Sequence, residues 1–438
     1  MNKLINTALE HLNINTLNKL QEKSLATSPD HDIIMLSPTG SGKTLAFLLP
    51  LLQVLDPESD YVQAIIVAPS RELAQQIEQV FRDLSSGMKI CCCYGGHRLA
   101  IERRSLEYPT QVIVGTPGRL EDHIMKGTFD PSKIKTIILD EFDKSLEFGF
   151  ENEMSAIIDH VPASAQKVLT SATFATEIPE FIQLKNLERL DFQVKDKEDE
   201  GKLTIKKVHT TSDHKLDVLL KLVCMTGRES VIIFCNYRES VDEVSDFLYD
   251  NGIFNETLHG GMEQRDRDRS LTKFKGGSVN VLVSTDLASR GLDIPEIKTI
   301  IHYHLPQSED AFIHRNGRTA RMHESGISYV LIETDKAVPD YIDENSEDVT
   351  LPQNCPPVPL PEWKTLFIYK GKKNKINKID VAGFLYKKGG LVKGEVGIID
   401  VKDYVTYVSI SRLKAEEVFN KVKDQKLKSW KAKMTLLR

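Results

Sequence analysis

Ser37-Pro38-Thr39-Gly40-Ser41-Gly42-Lys43-Thr44 joins a short apolar run, Asp32–Leu36, to a helical pattern over Leu45–Leu52. The apolar run predicts a strand, so the quoted residues form a loop between a strand and a helix. Glycines let such a loop curl until its N–H groups face a phosphate, helped by the helix N-terminus. In this arrangement Lys43 reaches the β- and γ-phosphates of ATP, and the Thr44 hydroxyl holds Mg²⁺. The context favours a nucleotide site over a glycine-rich turn with a surface lysine.

The strand before this loop is one of a series of short apolar runs in the first third of the chain. The others are Ala64–Ala68, Gln111–Val114, Thr136–Leu139 and Lys167–Thr170. A second series consists of Val231–Phe234, Val279–Val283, Thr299–His302 and Ser328–Leu331. Continuous apolar strands separated by helices indicate parallel sheets with right-handed crossovers. The sequence therefore predicts two α/β domains in tandem, over residues 1–195 and 202–335, with a polar linker between them.

Composition places the chain among ordinary globular proteins. It has 438 residues, 40% hydrophobic and 27% charged, which excludes disordered, collagen-like and disulfide-scaffold classes. No apolar run reaches the roughly 18 residues of a membrane span, and the N-terminus lacks the apolar core of a signal peptide. Six cysteines, three of them adjacent at positions 91–93, form neither a disulfide framework nor a paired metal motif. We expect a cytoplasmic protein with no membrane partner.

The C-terminal 75 residues differ sharply in charge from the rest. Residues 364–438 hold 19 basic and 7 acidic residues, a net charge of +12, whereas the remainder carries −18. Such a block indicates either a polyanion-binding appendage or a lysine-rich solvated surface. Residues 336–363, acidic and then proline-rich, predict a semi-rigid linker before it. The block's β-α-β-β-α-β pattern is the split layout of a small α+β domain like the RRM fold.

A second acidic motif follows one of the predicted strands. Asp140-Glu141-Phe142-Asp143 comes directly after the run Thr136–Leu139. A carboxylate at that strand end, across the sheet from the phosphate loop, suits Mg²⁺ coordination by Asp140. Glu141 beside it is placed to orient or deprotonate the attacking water. An acidic turn alone is a weak signal, but together with the phosphate loop it indicates nucleotide hydrolysis.

These motifs, in this order, resemble those of the DEAD-box RNA helicases over about residues 15–335. The resemblance is carried by Pro69-Ser70-Arg71-Glu72-Leu73, Gly95-Gly96, Thr116-Pro117-Gly118-Arg119, Asp140-Glu141-Phe142-Asp143, Ser171-Ala172-Thr173, Gln264-Arg265-Asp266-Arg267, Thr285-Asp286-Leu287-Ala288-Ser289-Arg290-Gly291-Leu292-Asp293 and His314-Arg315-Asn316-Gly317-Arg318-Thr319-Ala320-Arg321. It implies two RecA-like parallel-sheet domains and an RNA-stimulated ATPase.

The resemblance also implies roles in ATP hydrolysis. Arg318 and Arg321 match the arginine fingers that the second domain supplies to the γ-phosphate, and Asp293 matches the ribose contact. Ser171 and Thr173 complete the catalytic set. Gln21 falls where the family reads adenine, although a glutamine on a helix surface is the alternative.

The chain departs from the family at two places. Phe142 replaces the family's alanine, so coupling between hydrolysis and RNA binding is open to change. Leu17-Asn18 replaces the Pro-Thr before Gln21, and no aromatic residue occurs before Phe47. The adenine-stacking ring upstream is therefore missing, which allows weaker base selectivity.

The resemblance further implies an RNA groove whose contacts position a strand without reading its bases. Its residues are Pro69, Arg71, Gly95, Gly96, Thr116, Gly118 and Arg119 in the first domain, and Gln264, Arg267, Thr285 and Asp286 in the second.

Four runs stand out in residues 364–438: Gly371-Lys372-Lys373-Asn374-Lys375-Ile376, Asp380-Val381-Ala382-Gly383-Phe384-Leu385, Val396-Gly397-Ile398-Ile399-Asp400-Val401 and Tyr404-Val405-Thr406-Tyr407-Val408. With these runs the segment resembles the RNA-binding domain of DbpA-type helicases, which directs the core to large-subunit ribosomal RNA. In it, Phe367 and Tyr407 are candidates for base stacking, or else ordinary strand residues. Lys372, Lys373 and Lys375 are the first candidates for phosphate contacts.

We therefore expect an ATP-dependent RNA helicase that unwinds structured RNA locally, with ATP and Mg²⁺ as cofactors and ribosomal RNA as its target during ribosome assembly. A monomer is expected. The alternatives are a non-catalytic RNA clamp, a general RNA remodeller and a DNA helicase.

Overall fold

The computed structural model of the chain describes residues 3–38, 40–96, 99–171, 178–192, 203–286, 297–319, 325–431 and 433–437. These residues form two compact units, one before and one after residue 200.

The first unit is built on a seven-stranded parallel sheet. Its strands are β1 (Ile33–Leu36), β2 (Ala64–Val67), β3 (Ile90–Cys93), β4 (Val112–Gly115), β5 (Thr136–Leu139), β6 (Gln166–Ser171) and β7 (Glu188–Asp191). Its helices are α1 (Lys3–His11), α2 (Lys19–Ala26), α3 (Lys43–Val54), α4 (Arg71–Asp83), α5 (Leu99–Leu106), α6 (Pro117–Met125), α7 (Phe142–Glu147) and α8 (Glu151–His160). Helices cover both faces of the sheet, so two apolar clusters form, one on each face. The central strands are buried along their whole length, because they are continuous apolar runs.

The strand order separates two groups of motifs at the carboxyl ends of the strands. The order is β3-β4-β2-β5-β6-β1-β7, and all pairs are parallel. Ligands of open α/β sheets bind at the carboxyl ends of the strands. The phosphate loop and the acidic motif follow β1 and β5, on one side of the β2–β5 boundary. The motifs that the family resemblance assigns to RNA follow β2, β4 and β3, on the other side.

The second unit contains another seven-stranded parallel sheet, in the order β10-β11-β9-β12-β13-β8-β14. Its strands are β8 (Leu203–Thr210), β9 (Val231–Cys235), β10 (Asn255–Leu258), β11 (Val281–Thr285), β12 (Thr299–His302), β13 (Gly326–Glu333) and β14 (Glu347–Asp348). Its helices are α9 (Lys215–Met225), α10 (Arg238–Asp250), α11 (Gln264–Lys275) and α12 (Glu309–Asn316). β14 lies in the acidic segment predicted as a linker and pairs with β8.

The C-terminal residues of the second unit form a four-stranded antiparallel sheet in the order β16-β17-β15-β20. The strands are β15 (Trp363–Ile368), β16 (Val396–Val401), β17 (Thr406–Ser411) and β20 (Met434–Leu436), joined by α13 (Lys378–Phe384) and α14 (Ala415–Val422). This is the strand order of the predicted RRM-like layout. A short hairpin of β18 (Lys426–Leu427) and β19 (Trp430–Lys431) precedes the last strand.

The small domain packs against the larger one within the second unit. Ser409 Oγ donates to the carbonyl oxygen of Gly276 at 2.7 Å, and Arg412 Nη2 donates to that of Ser278 at 2.9 Å. The Arg412 guanidinium also lies over the ring of Phe254, 4.9 Å from its centroid. Since Val408 and Ile410 point into the apolar core, Ser409 between them lies on the opposite face of the sheet. Part of that face is therefore an intramolecular interface.

The predicted fold class is confirmed: two parallel α/β domains and a small α+β domain. Every strand predicted from an apolar run is present, with ends that coincide or differ by at most two residues. β7, β8, β10, β14 and the hairpin β18–β19 were not predicted. The linker candidate at 195–201 lies outside the described residues. Within the ranges given above, the chain has no helix with the length and apolar character that a membrane crossing requires.

Candidate nucleotide and RNA sites

The phosphate loop connects β1 to α3 as expected. Gly40 and Gly42 have φ angles of 83° and 84°, in the left-handed region that glycine adopts without strain. The Lys43 ammonium group donates to the carbonyl oxygens of Ser37 at 2.5 Å and Pro38 at 3.1 Å, so its head lies inside the loop. Ser37 Oγ also lies 2.7 Å from Ser41 Oγ. Thr44, half-buried, follows Lys43 in the first turn of α3.

Gln21 is brought to this loop by α2. Its side chain is only 5% exposed, and its amide nitrogen lies 3.4 Å from the carbonyl oxygen of Gly42. Asn18 and Gln21 form a reciprocal capping box, and Asn18 Nδ2 donates to the carbonyl oxygen of Ser41 at 2.9 Å. Gln21 is therefore not a surface residue. Asn18 therefore also contacts the loop, although it is one of the residues by which the chain departs from the family.

The acidic motif stands at the end of β5. Asp140 is 3% exposed, and burial, followed by the charge of Glu141, raises the pKa of its carboxyl to about 7. The Thr170 hydroxyl donates to Asp140 Oδ1 at 2.5 Å and accepts the backbone N–H of Glu141 at 3.0 Å. Glu141 has a φ of 47°. Thr170 thus fixes both carboxylate residues, a role that no motif indicated.

The residues present suit Mg²⁺. A buried carboxylate whose charge is unfavourable without a cation, and a threonine hydroxyl, are the hard oxygen donors that this ion prefers. The Lys43 ammonium group interacts favourably with Asp140, which links the loop to the acidic motif. Asp140 and Thr44 are therefore the residues that would hold the ion.

Phe142 occupies the position of the family's alanine. Its side chain is 1% exposed and belongs to the apolar cluster formed with Leu139, Leu120 and Ile157. The cluster beneath α3 and the phosphate loop is a different one, on the other face of the sheet. The ring therefore fits into the core rather than into the nucleotide site.

The remaining residues predicted to act in catalysis lie only partly within the described ranges. Ser171 is fully buried, its carbonyl oxygen accepts the N–H of Ser37, and its hydroxyl hydrogen-bonds Asp143. Arg318, in the second unit, is 4% exposed. The predicted site residues Thr39, Thr173, Asp293 and Arg321 lie outside the described residues.

The RNA motifs of the first unit meet at the carboxyl ends of β2, β3 and β4. Pro69 is buried, and Arg71 begins α4 and lies against the glycine pair, so that a Cβ atom on Gly96 would approach Arg71 Nη1 to 2.7 Å. Thr116 directly precedes α6, Gly118 is exposed in its first turn, and Arg119 lies one residue further on. The predicted residues Pro69, Arg71, Gly95, Gly96, Thr116, Gly118 and Arg119 are thus neighbours on one edge.

Beneath this edge lies a buried group of metal-ligand residue types. Atoms of Cys93, Glu102 and His123 lie within 4.8 Å of one another. The carboxylate and the imidazole are paired with each other, 2.8 Å apart, so hydrogen bonding accounts for their burial.

In the second unit, Gln264 and Arg267 lie in the first turn of α11, and Thr285 ends β11. Asp286 is held by the neighbouring motif: Arg315 donates to its two carboxylate oxygens at 2.5 and 2.7 Å. Arg315 also donates to the carbonyl oxygen of His304 at 2.6 Å and to Asn236 Oδ1 at 2.7 Å. This buried arginine ties the ends of three strands together. Arg315 belongs to the motif His314–Arg321, but no role could be predicted for it from the sequence.

In the small domain, Phe367 and Tyr407 are paired across β15 and β17, with ring centroids 4.9 Å apart, and both are half-buried. Lys372, Lys373 and Lys375 are exposed in the loop after β15. Trp430, 41% exposed on the unpredicted hairpin, donates to the Asn374 carbonyl oxygen of that loop. This aromatic ring beside the lysine loop was missed because the hairpin carries no apolar run.

Three family models match the chain: DEAD/DEAH box helicase over residues 18–181, helicase conserved C-terminal domain over 214–323 and DbpA RNA binding domain over 365–436. The chain is 33% identical to the ATP-dependent RNA helicase DbpA of Escherichia coli (strain K12), over 99% of its own length and 97% of that protein's. It is 30% identical to the DbpA of Bacillus subtilis (strain 168), over 98% and 96%.

Solved structures of DEAD-box helicases are also similar to this chain. S. cerevisiae Dbp5 bound to RNA and ADP BeF3 superposes with a TM-score of 0.69 at 28% identity, covering 77% of this chain and 88% of that one. The DEAD-box helicase Mss116 bound to ssRNA and UDP-BeF gives a TM-score of 0.68 at 25% identity, covering 76% and 74%. Proteins of this family bind ATP and are RNA-stimulated ATPases. From the motifs, the two sheets and these likenesses together, the chain belongs to the DEAD-box RNA helicases, as an ATP-dependent RNA helicase of the DbpA type with a C-terminal RNA-binding domain.

Proposed function

We propose that this helicase remodels structured large-subunit ribosomal RNA during ribosome assembly, and that the small domain selects the target. The observation that carries the proposal is the match of residues 365–436 to the DbpA RNA binding domain, on a block with a net charge of +12. Exposed lysines after β15 and the aromatic residue Trp430 beside them provide phosphate contacts and a stacking surface. The core supplies the ATP-driven step.

In the first unit, Lys43 binds the β- and γ-phosphates, and Glu141 orients the attacking water and accepts its proton. Asp140 and Thr44 would hold Mg²⁺, which would neutralise charge on the phosphates. Gln21, buried against the loop, reads adenine. The Lys43 ammonium group lies on the carbonyl oxygens of Ser37 and Pro38, which places it within the phosphate loop.

Arg318 and Arg321 of the second unit stabilise the charge that develops on the γ-phosphate. Arginine fingers contribute roughly 10³–10⁵ in rate. Because the fingers come from another unit, hydrolysis requires the two units to close. RNA bound along Arg71, Gly96, Thr116 and Arg119 favours that closure, which couples hydrolysis to RNA. Opening after hydrolysis releases the strand.

The specificity test compares ATPase stimulation by large-subunit ribosomal RNA with that by an unstructured RNA. A triple variant, K372Q, K373Q and K375Q, removes the predicted phosphate contacts from the full chain. K387Q, K388Q and K393Q form the matched control, since these lysines are equally exposed on the same domain. We expect the first variant alone to lose the preference for ribosomal RNA. Equal stimulation by both RNAs in the native chain would instead indicate a general remodeller.

A single strand of RNA should also compete better than DNA of the same sequence, because family contacts to the 2′-OH distinguish them. The expectations of a monomer and of a cytoplasmic location remain predictions. Sedimentation at several protein concentrations tests the first, and fractionation of cells tests the second.

A further inference from the structure

Glu102 is a buried carboxylate without a role in the proposed mechanism. It lies on α5, and its side chain is 2% exposed. One carboxylate oxygen accepts the backbone N–H of Tyr94 at 3.0 Å. The other lies 2.8 Å from His123 Nε2 and 3.4 Å from Arg119 Nη1. A buried charge needs such partners, because an unpaired one would be costly to desolvate.

The partners of Glu102 belong to two different RNA motifs. Tyr94 directly precedes the glycine pair after β3, and Arg119 ends the motif that begins at Thr116 after β4. His123 lies one turn beyond Arg119 on α6, and its other ring nitrogen is 2.8 Å from Thr128 Oγ1. One carboxyl group thus joins the two loops that follow neighbouring strands.

Glu102 contacts the Arg119 guanidinium through one nitrogen atom, Nη1. A guanidinium has five N–H donors in a planar fork, so one edge can pair with a carboxylate while the other binds a phosphate. Arg119 keeps 13% of its side chain exposed, whereas Glu102 is closed off from solvent. A side chain that is already oriented loses less conformational entropy on binding.

We propose that Glu102 is a positioning residue for RNA binding, which holds the Arg119 guanidinium and the glycine turn in their binding geometry before RNA arrives. The proposal rests on the RNA contact by Arg119 in the proposed function. His123 pairs with the buried carboxylate of Glu102 and does not itself orient the Arg119 guanidinium.

The test measures RNA-stimulated ATPase of the full chain as a function of the concentration of an unstructured single-stranded RNA. E102Q keeps the size of the side chain and the acceptor for Tyr94, but removes the charge that faces Arg119. We expect the RNA concentration for half-maximal stimulation to rise about tenfold, as for the loss of a charge-assisted hydrogen bond. The rate at saturating RNA should stay within about twofold. A fall in that rate with unchanged half-saturation would overturn the proposal.

Three further variants separate positioning from a general structural effect. R119Q should weaken RNA binding at least as much as E102Q, and the two changes combined should be no worse than R119Q alone. H123N disturbs the same buried pair but leaves the Glu102 charge facing Arg119, so we expect much less weakening. E78Q is the matched control, because Glu78 forms an exposed pair with Arg82 on the neighbouring α4. It should leave both parameters unchanged.

Salt dependence adds a second readout. Loss of one phosphate contact makes the slope of log K against log[salt] shallower by about 0.7 for a single strand, and E102Q should share this change with R119Q. If E102Q melts below the assay temperature, E102D replaces it, since it withdraws the carboxylate by one methylene and should act in the same direction.

The outcomes distinguish the two levels of the argument. If R119Q leaves RNA binding intact, the RNA contact in the proposed function is wrong. If R119Q weakens binding but E102Q does not, only the positioning role is wrong. An equal effect of H123N and E102Q, or full additivity of E102Q with R119Q, would also refute positioning.

Discussion

Replacing Phe142 by alanine restores the residue that the DEAD-box family carries at this position. We nevertheless expect this substitution to lower the free energy of unfolding. The ring is 1% exposed and packs with Leu139, Leu120 and Ile157. Truncating a buried phenylalanine to alanine costs about 3–5 kcal/mol, through lost burial and the cavity left behind. The side chain lies in the cluster on the sheet face opposite α3, so the nucleotide site should be little affected.

The assay is urea denaturation of the full chain, followed by circular dichroism, with ATPase measured on the folded protein in parallel. Phe148→Ala provides the control, because that ring ends the same helix but is only half-buried. We expect the transition of the first unit to move to lower urea for Phe142→Ala, and much less for Phe148→Ala. A loss below about 0.5 kcal/mol, which is the scale of an ordinary surface change, would refute the packing argument. So would a large gain in RNA-stimulated rate, since it would place Phe142 in the coupling between RNA and ATP.

Three further predictions concern the catalytic carboxylates, the domain interface and acid stability. Thr170→Val removes the hydroxyl that donates a hydrogen bond to Asp140. Loss of a buried hydrogen bond costs about 1–3 kcal/mol, so we expect kcat to fall about tenfold. The RNA concentration for half-maximal stimulation should not change. Gly277→Ala places a Cβ 2.9 Å from the Trp363 ring at a φ of +67°, so we expect a lower melting temperature and altered tryptophan fluorescence; an unchanged spectrum would contradict the docked arrangement. Hydrogen bonds from lysine side chains hold the pKa of Glu333 at about 2, below its ordinary 4.5, so its stabilisation is complete above pH 4.5 and is lost as the pH falls toward 2. The difference in melting temperature between the native chain and Glu333→Gln should shrink over that range, and a constant difference would refute it.

Sequence reasoning succeeded where burial imposes a simple pattern. Strands such as Ile65–Val67 are buried on both faces, so they appear as unbroken apolar runs, and the loop and acidic motifs follow strands found in this way. The order of the strands within the sheet is harder to predict from the sequence than their positions in the chain. The separation of the predicted nucleotide residues from the predicted RNA residues became evident only when the pairing of β2 with β5 was known.

Strands at sheet margins escaped prediction because they lack that pattern. In β7 only Leu190 is buried, and β8 begins with exposed and half-buried residues. Their pairing depends on partners far away in the chain. The hairpin that carries Trp430 is only two residues long on each side, so its position relative to the lysine loop is a tertiary property.

Within the site, motif residues were found but the residues that support them were not. Asn18 to Gln21 has the spacing of a capping box, a signal that was available in the sequence. The bridges made by Thr170 and Glu102 left no such mark, because each depends on backbone N–H groups and side chains brought together by the sheet. Sequence motifs therefore indicate the residues that contact a ligand more reliably than the residues, such as Thr170 and Glu102, that support them.

The most direct test of the account is phosphate release from ATP with and without RNA, for the native chain and for Glu141→Gln. Glutamine keeps the shape of the side chain but cannot accept the proton of the attacking water. The account predicts RNA-stimulated release by the native chain and a loss of about 10² or more in the variant, with RNA and ATP binding retained. No release by the native chain under any condition, or equal rates for both proteins, would contradict it and favour a clamp that binds RNA without hydrolysing ATP.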